Sequence, residues 1–389
     1  MAGCIGSGAP GPRPRVETSW LDGSPSARRN VGASLRPLWS SRLVPEWEGA
    51  YVPVERASAA LDPERDRLYV GSTAGVLYAM RGDGLRLWRY DARGAIESAP
   101  ALDAAAQVLF VGTEQGELHA LDARDGRLLW REPMGGPVRT TPVLSRDAVY
   151  VVTDTDLVLA LSRTDGSTLW SYGRQPHQGF AIAGHAGIVM REGRLYTGFT
   201  DGAVVALDAA SGDVAWIRET AEDLLAEDAG EARRFFDVDT TPVVRDDTLL
   251  VASFSGGLYE LDRASGSVLR REPRWTGITS IVLEEQRLVL ASADEGLVCL
   301  EARDWQPVWR RSVERGAPGT PLAVGPWLLV GESEGALLLL ELGTGRERGR
   351  LDGGLGFLAQ PAFARGRGFV LGNSGSLRAF EIVRGGSSS

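Results

Sequence analysis

Lysine is absent from the 389 residues, cysteine appears twice and histidine three times. Each scarcity closes off a class of chemistry. Cys4 and Cys299 cannot supply a disulfide framework, and Leu297-Val298-Cys299-Leu300 has the surroundings of an inert thiol inside a strand. His119, His177 and His185 are too few and too scattered for a zinc site or a general base. Without lysine there is no Gly-Lys-Ser/Thr phosphate loop. No apolar run approaches the roughly 20 residues of a membrane helix. The 42 basic residues, all arginine, are outnumbered by 51 acidic ones, for a net charge of -9. No basic patch forms, which argues against nucleic acid and against a basic amphipathic membrane helix. The acidic residues show neither an acid/base pair nor a calcium cage with asparagine. No catalytic residue, metal or cofactor is therefore expected.

What the chain has in plenty is glycine, 49 residues, with 20 prolines and a hydrophobic content of 43%. That combination fits many short strands joined by tight turns around a sizeable core. The stretch Ala120-Leu-Asp-Ala-Arg-Asp-Gly-Arg-Leu-Leu-Trp130 shows how they are arranged. A strand ends near Asp122, Asp125-Gly126 turns the chain, and a second strand begins at Leu128. Close copies run from Ala206 to Trp216 and from Ala160 to Trp170, and weaker ones follow.

The apolar residue before the turn recurs as Met80, Leu121, Leu161, Leu207, Leu261, Leu300, Leu340 and Phe380. The period is about forty residues, with extra length in the fourth and fifth units, and the pattern ahead of each marker implies four strands per unit. Eight such units predict an all-β, eight-bladed β-propeller of four-stranded blades; an open all-β solenoid is the alternative. Tryptophan follows most markers, as Trp88, Trp130, Trp170, Trp216 and Trp309, while Arg270 and Gly349 replace it in two units. The eighth unit lacks an outer strand, and Leu35-Arg-Pro-Leu-Trp39 matches the missing piece. The ring is thus expected to close through the N-terminal strand near Trp39, with the six tryptophans docking blade against blade. Residues 1-35 read as a flexible tether, 36-383 as one propeller and 384-389 as a flexible tail.

The motif Ala-x-Asp-x-x-x-Gly-x-x-x-Trp resembles the docking motif of PQQ-like repeat propellers, across about residues 36 to 383. Phe236-Asp-Val-Asp-Thr-Thr-Pro-Val-Val244, Gly256 to Gly266, and Thr320-Pro-Leu to Gly335 are similar to the BamB family of the outer-membrane β-barrel assembly machinery. Met1-Ala2-Gly3-Cys4 resembles the end of a bacterial lipoprotein signal, and an ordinary start with an incidental cysteine is equally open. The resemblance implies a monomeric, non-enzymatic scaffold that binds the periplasmic POTRA region of BamA through loops of the middle blades. It further implies a lipid on Cys4 that anchors the protein at the periplasmic face of the outer membrane.

On that resemblance the partner-binding residues are Asp237 and Asp239, with Phe180 and Ile182 from the preceding loop. Ala183 stands where the family has an arginine, a role that Arg174 is placed to take over. Read without the family, Asp237 and Asp239 are turn aspartates bonded to backbone amides. Phe180 and Ile182 fit a strand facing the core equally well, and 219-234 reads as a solvated, helix-compatible insertion. Two other functions remain open from sequence. One is a PQQ-dependent dehydrogenase, whose adjacent cysteines and calcium site have no counterpart here. The other is a generic protein- or ligand-binding propeller.

Overall fold

The computed structural model describes residues 33-45, 54-174, 186-226 and 235-384. These residues form eight four-stranded antiparallel sheets. The first blade runs through Ala60–Asp62, Arg67–Val70, Val76–Arg81 and Arg86–Asp91, and the next six repeat this order along the chain. The eighth takes three strands, Ala362–Ala364, Arg367–Leu371 and Ser376–Arg384, from the C-terminal side and its outer strand, Ala33–Arg42, from the N-terminal side. Residues pair from Ala33 with Arg384 to Arg42 with Ser376. The eight-bladed ring closed by an N-terminal strand, expected from the repeat, is the fold observed.

Burial follows from stacking. Ala148–Val152 is buried throughout because a middle strand is covered on both faces by the adjoining blades, which favours continuous apolar runs over alternation. The outer strand Thr168–Gly173 instead alternates exposed and half-buried positions. Trp170 on that strand lies opposite Ala160, as Trp130 lies opposite Ala120 and Trp216 opposite Ala206. A small residue facing a large one keeps the volume of the cross-strand pair nearly constant. Where Gly349 replaces tryptophan, Leu339 takes the opposite place.

Each indole reaches the next blade. The Nε1–H of Trp88 donates to the carbonyl of Ala123 at 3.2 Å, and that of Trp130 to Arg163 at 3.1 Å. Trp170 donates to Ala209 at 3.1 Å, Trp216 to Arg263 at 3.0 Å and Trp309 to Leu342 at 2.8 Å. Trp39 donates to Gly82 at 3.0 Å and so joins the eighth blade to the first. The ring of Trp88 lies on Gly126 so closely that a Cβ there would come within 2.6 Å of it. Gly126 also has φ +76°, so backbone and contact both require glycine.

Two irregular units have physical reasons. After the fifth blade's marker stands Arg270, and Trp305 occupies the turn position that is glycine elsewhere, at φ +55°. The guanidinium lies 4.1 Å from the Trp305 ring centroid and donates to the Asp304 carbonyl. The aromatic ring has changed sides of the junction, and a cation over its face replaces an indole on glycine. Asp304-Trp305, which looks degenerate as sequence, is a working turn. At Gly349 the eighth blade has no hairpin between its third and outer strands, hence no turn carbonyl for an indole to meet. Its Cβ position would instead fall 3.0 Å from the Leu35 amide of the closing strand.

Candidate partner-docking site

The segment 235-241 leads into the fifth blade and is tied down from both sides. Val238 donates to the Phe199 carbonyl at 3.2 Å and packs against Gly198 of the fourth blade. Phe254 donates to the Asp237 carbonyl at 2.9 Å, Ser253 donates to that of Phe236 at 3.2 Å, and the Phe235 amide donates to Ser255 Oγ at 3.1 Å. Thr240 Oγ1 accepts from Ala252 at 2.9 Å, and Thr241 Oγ1 accepts from the Gly187 amide at 2.9 Å. Hydroxyls and carbonyls thus hold two neighbouring aspartates in a fixed backbone.

Their surroundings differ. Asp237 is 1% exposed, whereas Asp239 is half-buried. Burial, reinforced by the charges of Asp237 and Asp156, pushes the Asp239 carboxyl up to about 8. Asp156 is itself buried, and accepts from the Thr200 amide at 3.2 Å and from the Thr200 hydroxyl. It was not expected from sequence, yet it left a signal. In Thr153-Asp-Thr-Asp156 it stands where Gly75 and Gly116 end the corresponding turns, and it has their left-handed backbone at φ +57°. Aspartate tolerates that region better than most residues, so an acid in a glycine slot costs little and gains a place beside Asp239.

Arg139 occupies the equivalent position in the third blade, four residues before the inner strand, within Val138-Arg-Thr-Thr-Pro142. It bridges Glu97 at 3.3 Å, Glu114 at 2.6 Å and Asp154 at 3.0 Å. Glu97, Glu114 and Asp154 thus share one cation, while among the described residues the charges acting on Asp239 are those of the acids Asp237 and Asp156. Arg174, placed by sequence as a stand-in for the family arginine, is held by Asp201 at 2.6 Å and Glu219 at 2.9 Å, where it braces the third blade against the fourth. Phe180, Ile182, Ala183 and Cys4 lie outside the described residues. The insertion starts with a short helix, Ala221–Ala226.

His119 alternates with apolar neighbours in Glu117-Leu-His-Ala-Leu121, a pattern that suits an outward strand residue, yet it is 1% exposed, with Nδ1 3.0 Å from the Tyr90 hydroxyl and Nε2 3.0 Å from Glu117. Burial lowers its pKa against the pull of Glu117, so the neutral ring serves as a strut between the first two blades. Cys299 is fully buried, and burial pushes its thiol up to about 12. No group of three or more His, Cys, Asp or Glu side chains among the described residues could hold a metal ion.

The eight blades and their recurring turn and tryptophan define a class: a ring-shaped propeller built from PQQ-like repeats. The family model for outer membrane protein assembly factor BamB matches residues 102–311. The chain is 24% identical over 385 residues to the BamB of Yersinia pestis, covering 95% of this chain and 91% of that protein. It is 28% identical over 289 residues to that of Shewanella oneidensis, covering 73% and 71%. Among solved structures, BamB from Moraxella catarrhalis superposes with a TM-score of 0.74 at 23% identity, covering 89% of this chain and 99% of that one. A quinohemoprotein alcohol dehydrogenase from Pseudomonas putida gives 0.69 at 14% identity, covering 89% and 76%, a likeness of fold alone. The chain belongs to the BamB family of outer membrane protein assembly factors, a non-enzymatic family.

Proposed function

We propose that this chain serves as the scaffold subunit of an outer-membrane β-barrel assembly machine, binding the periplasmic POTRA region of the barrel-forming subunit BamA through its middle-blade loops. The observation that carries the reading is the half-buried acid at Asp239, raised by burial and by the charges of Asp237 and Asp156, at the position where the family resemblance places two acidic contacts. A cation brought by a partner relieves the repulsion among these carboxylates and draws the proton off Asp239. Asp239 makes the contact, and the buried Asp237 acts on it through its field. Phe180 and Ile182 belong to the proposed interface on the resemblance alone.

Binding of the POTRA fragment of the source organism's BamA, measured by calorimetry, is the test. Asp239→Asn should weaken it by at least about tenfold, the loss expected when one partner of a partly desolvated charge pair is removed. Unchanged affinity discards the site. Asp237→Arg is unsuitable, because it forces a charge into a 1% exposed position.

The lipid anchor is proposed on Met1-Ala2-Gly3-Cys4. The full precursor, made in a bacterial host, should label with a palmitate analogue and lose the label on Cys4→Ser. Label retained by that variant, or none on the parent, reduces Cys4 to an ordinary residue.

A further inference from the structure

The two faces of the ring differ. Four antiparallel strands alternate in direction, so in each blade the hairpin between the third and outer strands lies at one end of the sheet and the loop entering the inner strand at the other. Asp239 stands in an entering loop, and the hairpins mark the opposite face. There, where the first blade meets its neighbours, large apolar side chains are left in solvent. Leu85, one residue beyond the Gly84 on which Trp39 lies, is 53% exposed, and Leu87 is 38% exposed. At the next seam Trp88 lies on Gly126, and Leu128 and Leu129 follow at 37% and 40%. The indoles also change around the ring: Trp39, Trp88 and Trp130 are half-buried, whereas Trp216 and Trp309 are buried.

Arginine completes this rim. Side chains two apart on a strand share a face, so Arg89 follows Leu87 and Arg131 follows Leu129 on the outward side of their outer strands, and all four are exposed. Neither arginine makes an ion pair among the described residues. The chain enters on the same face. The closing strand begins at Ala33, opposite Arg384, the end of the eighth blade's third strand and the place where any other blade has its hairpin. Residues 1–32 therefore meet the ring on the hairpin face, in the blade next to the first.

We propose that this rim, the hairpin face of the first and second blades, rests on an anionic phospholipid surface. Each component suits that occupant. Exposed leucines gain roughly 25 cal/mol per Å² of apolar surface taken out of water. An indole with one edge in solvent favours the boundary between hydrocarbon and headgroups, and an arginine without an ion pair meets phosphate oxygens with two parallel hydrogen bonds. The point of chain entry selects the same occupant: a ring resting on this face keeps residues 1–32 on the membrane side and turns the Asp239 face away, so membrane contact and partner docking do not compete. The inference goes beyond the scaffold reading and does not rest on a lipid at Cys4. It supplies the second contact that one acyl chain, marginal by itself, needs for stable attachment.

Every protein in the test is the full chain carrying Cys4→Ser, which separates the rim from any anchor. Co-sedimentation is measured with vesicles of phosphatidylethanolamine and phosphatidylglycerol, and with vesicles of phosphatidylcholine alone. At low salt the anionic vesicles should bind at least about fivefold more tightly, and raised salt should erase the difference. Leu85→Ser with Leu128→Ser should weaken binding at least about tenfold, and Leu85→Phe with Leu128→Phe should retain it. Arg89→Gln with Arg131→Gln should remove the preference for anionic vesicles. Leu355→Ser changes a leucine that is 51% exposed in the loop entering the eighth blade, on the opposite face, and should bind like the parent. No binding by the parent, serine variants of the rim that bind like the parent, or an equal loss on Leu355→Ser overturns the proposal. So does self-association that depends on Leu85 and Leu128 in sedimentation velocity, since a second copy would then cover the rim.

Discussion

Asp239→Asn is expected to stabilise the protein in alkaline buffer, although it removes the residue proposed to carry binding. Asp239 titrates near pH 4 in the unfolded chain and at about 8 in the folded one. Between those values the folded state holds a proton that the unfolded state has released, so stability falls as pH rises from about 4 to about 8 and is level above. Asparagine holds no such proton, and the penalty disappears. Each pH unit across the window is worth about 1.4 kcal/mol. Water admitted beside the ionised group returns part of the total, which leaves an expected gain of roughly 3 kcal/mol at pH 9, or a few degrees in melting temperature. Urea unfolding of parent and variant at pH 5 and pH 9 measures it. A gain no larger at pH 9 than at pH 5 would show that Asp239 is not held protonated by its neighbours. A stabilised variant that no longer binds would place the strain at Asp239 in the service of recognition.

The second large effect concerns the exchanged pair Arg270 and Trp305. Arg270→Trp alone restores the motif by sequence and should nonetheless destabilise by roughly 3 kcal/mol, because the incoming indole meets Trp305 where other blades offer glycine. At the equivalent junction of the fourth blade with the fifth, the Trp216 ring leaves only 2.5 Å for a Cβ at Gly266. Trp305→Gly alone empties the place of a 1% exposed indole packed in a core cluster and should cost about 3 to 5 kcal/mol. Combined, the two changes rebuild the common junction and should recover up to about half of the summed loss, a coupling of about 3 kcal/mol. Recovery stops short of complete because Glu260, opposite position 270, stands where the tryptophan-bearing blades have alanine or cysteine and is held by Arg245. Thermal unfolding of the four proteins in the cycle decides it; additive losses would mean that Arg270 and Trp305 do not form one unit.

The fold was legible because its signals are local and repeated. A turn glycine, an alanine and a tryptophan at constant spacing report a strand pair within a dozen residues, and eight copies average out the irregular ones. Trp39 was legible as ring closure because the same pattern occurs once out of place, ahead of the first full blade. The site was legible only as far as Phe236 to Val244 carries the family resemblance. Asp156 is eighty-odd residues from Asp239 and two blades away, and no local pattern links them. Arg174 was read as free for a partner, yet Asp201 and Glu219 hold it, and those pairings form only once the third and fourth blades are stacked. His119 alternates with apolar neighbours in a way that fits either face of a strand. Blade stacking buries both faces, and so period-two reasoning could not place it.

The sequence by itself determined the number of blades, the strands in each and the place where the ring closes, since these follow from short-range turn geometry and hydrophobic alternation. The tertiary structure alone decided which acids stand together, which arginines neutralise them and which carboxylate is left holding a proton. Those outcomes depend on distances between blades and on the water excluded there, quantities that a linear pattern does not contain.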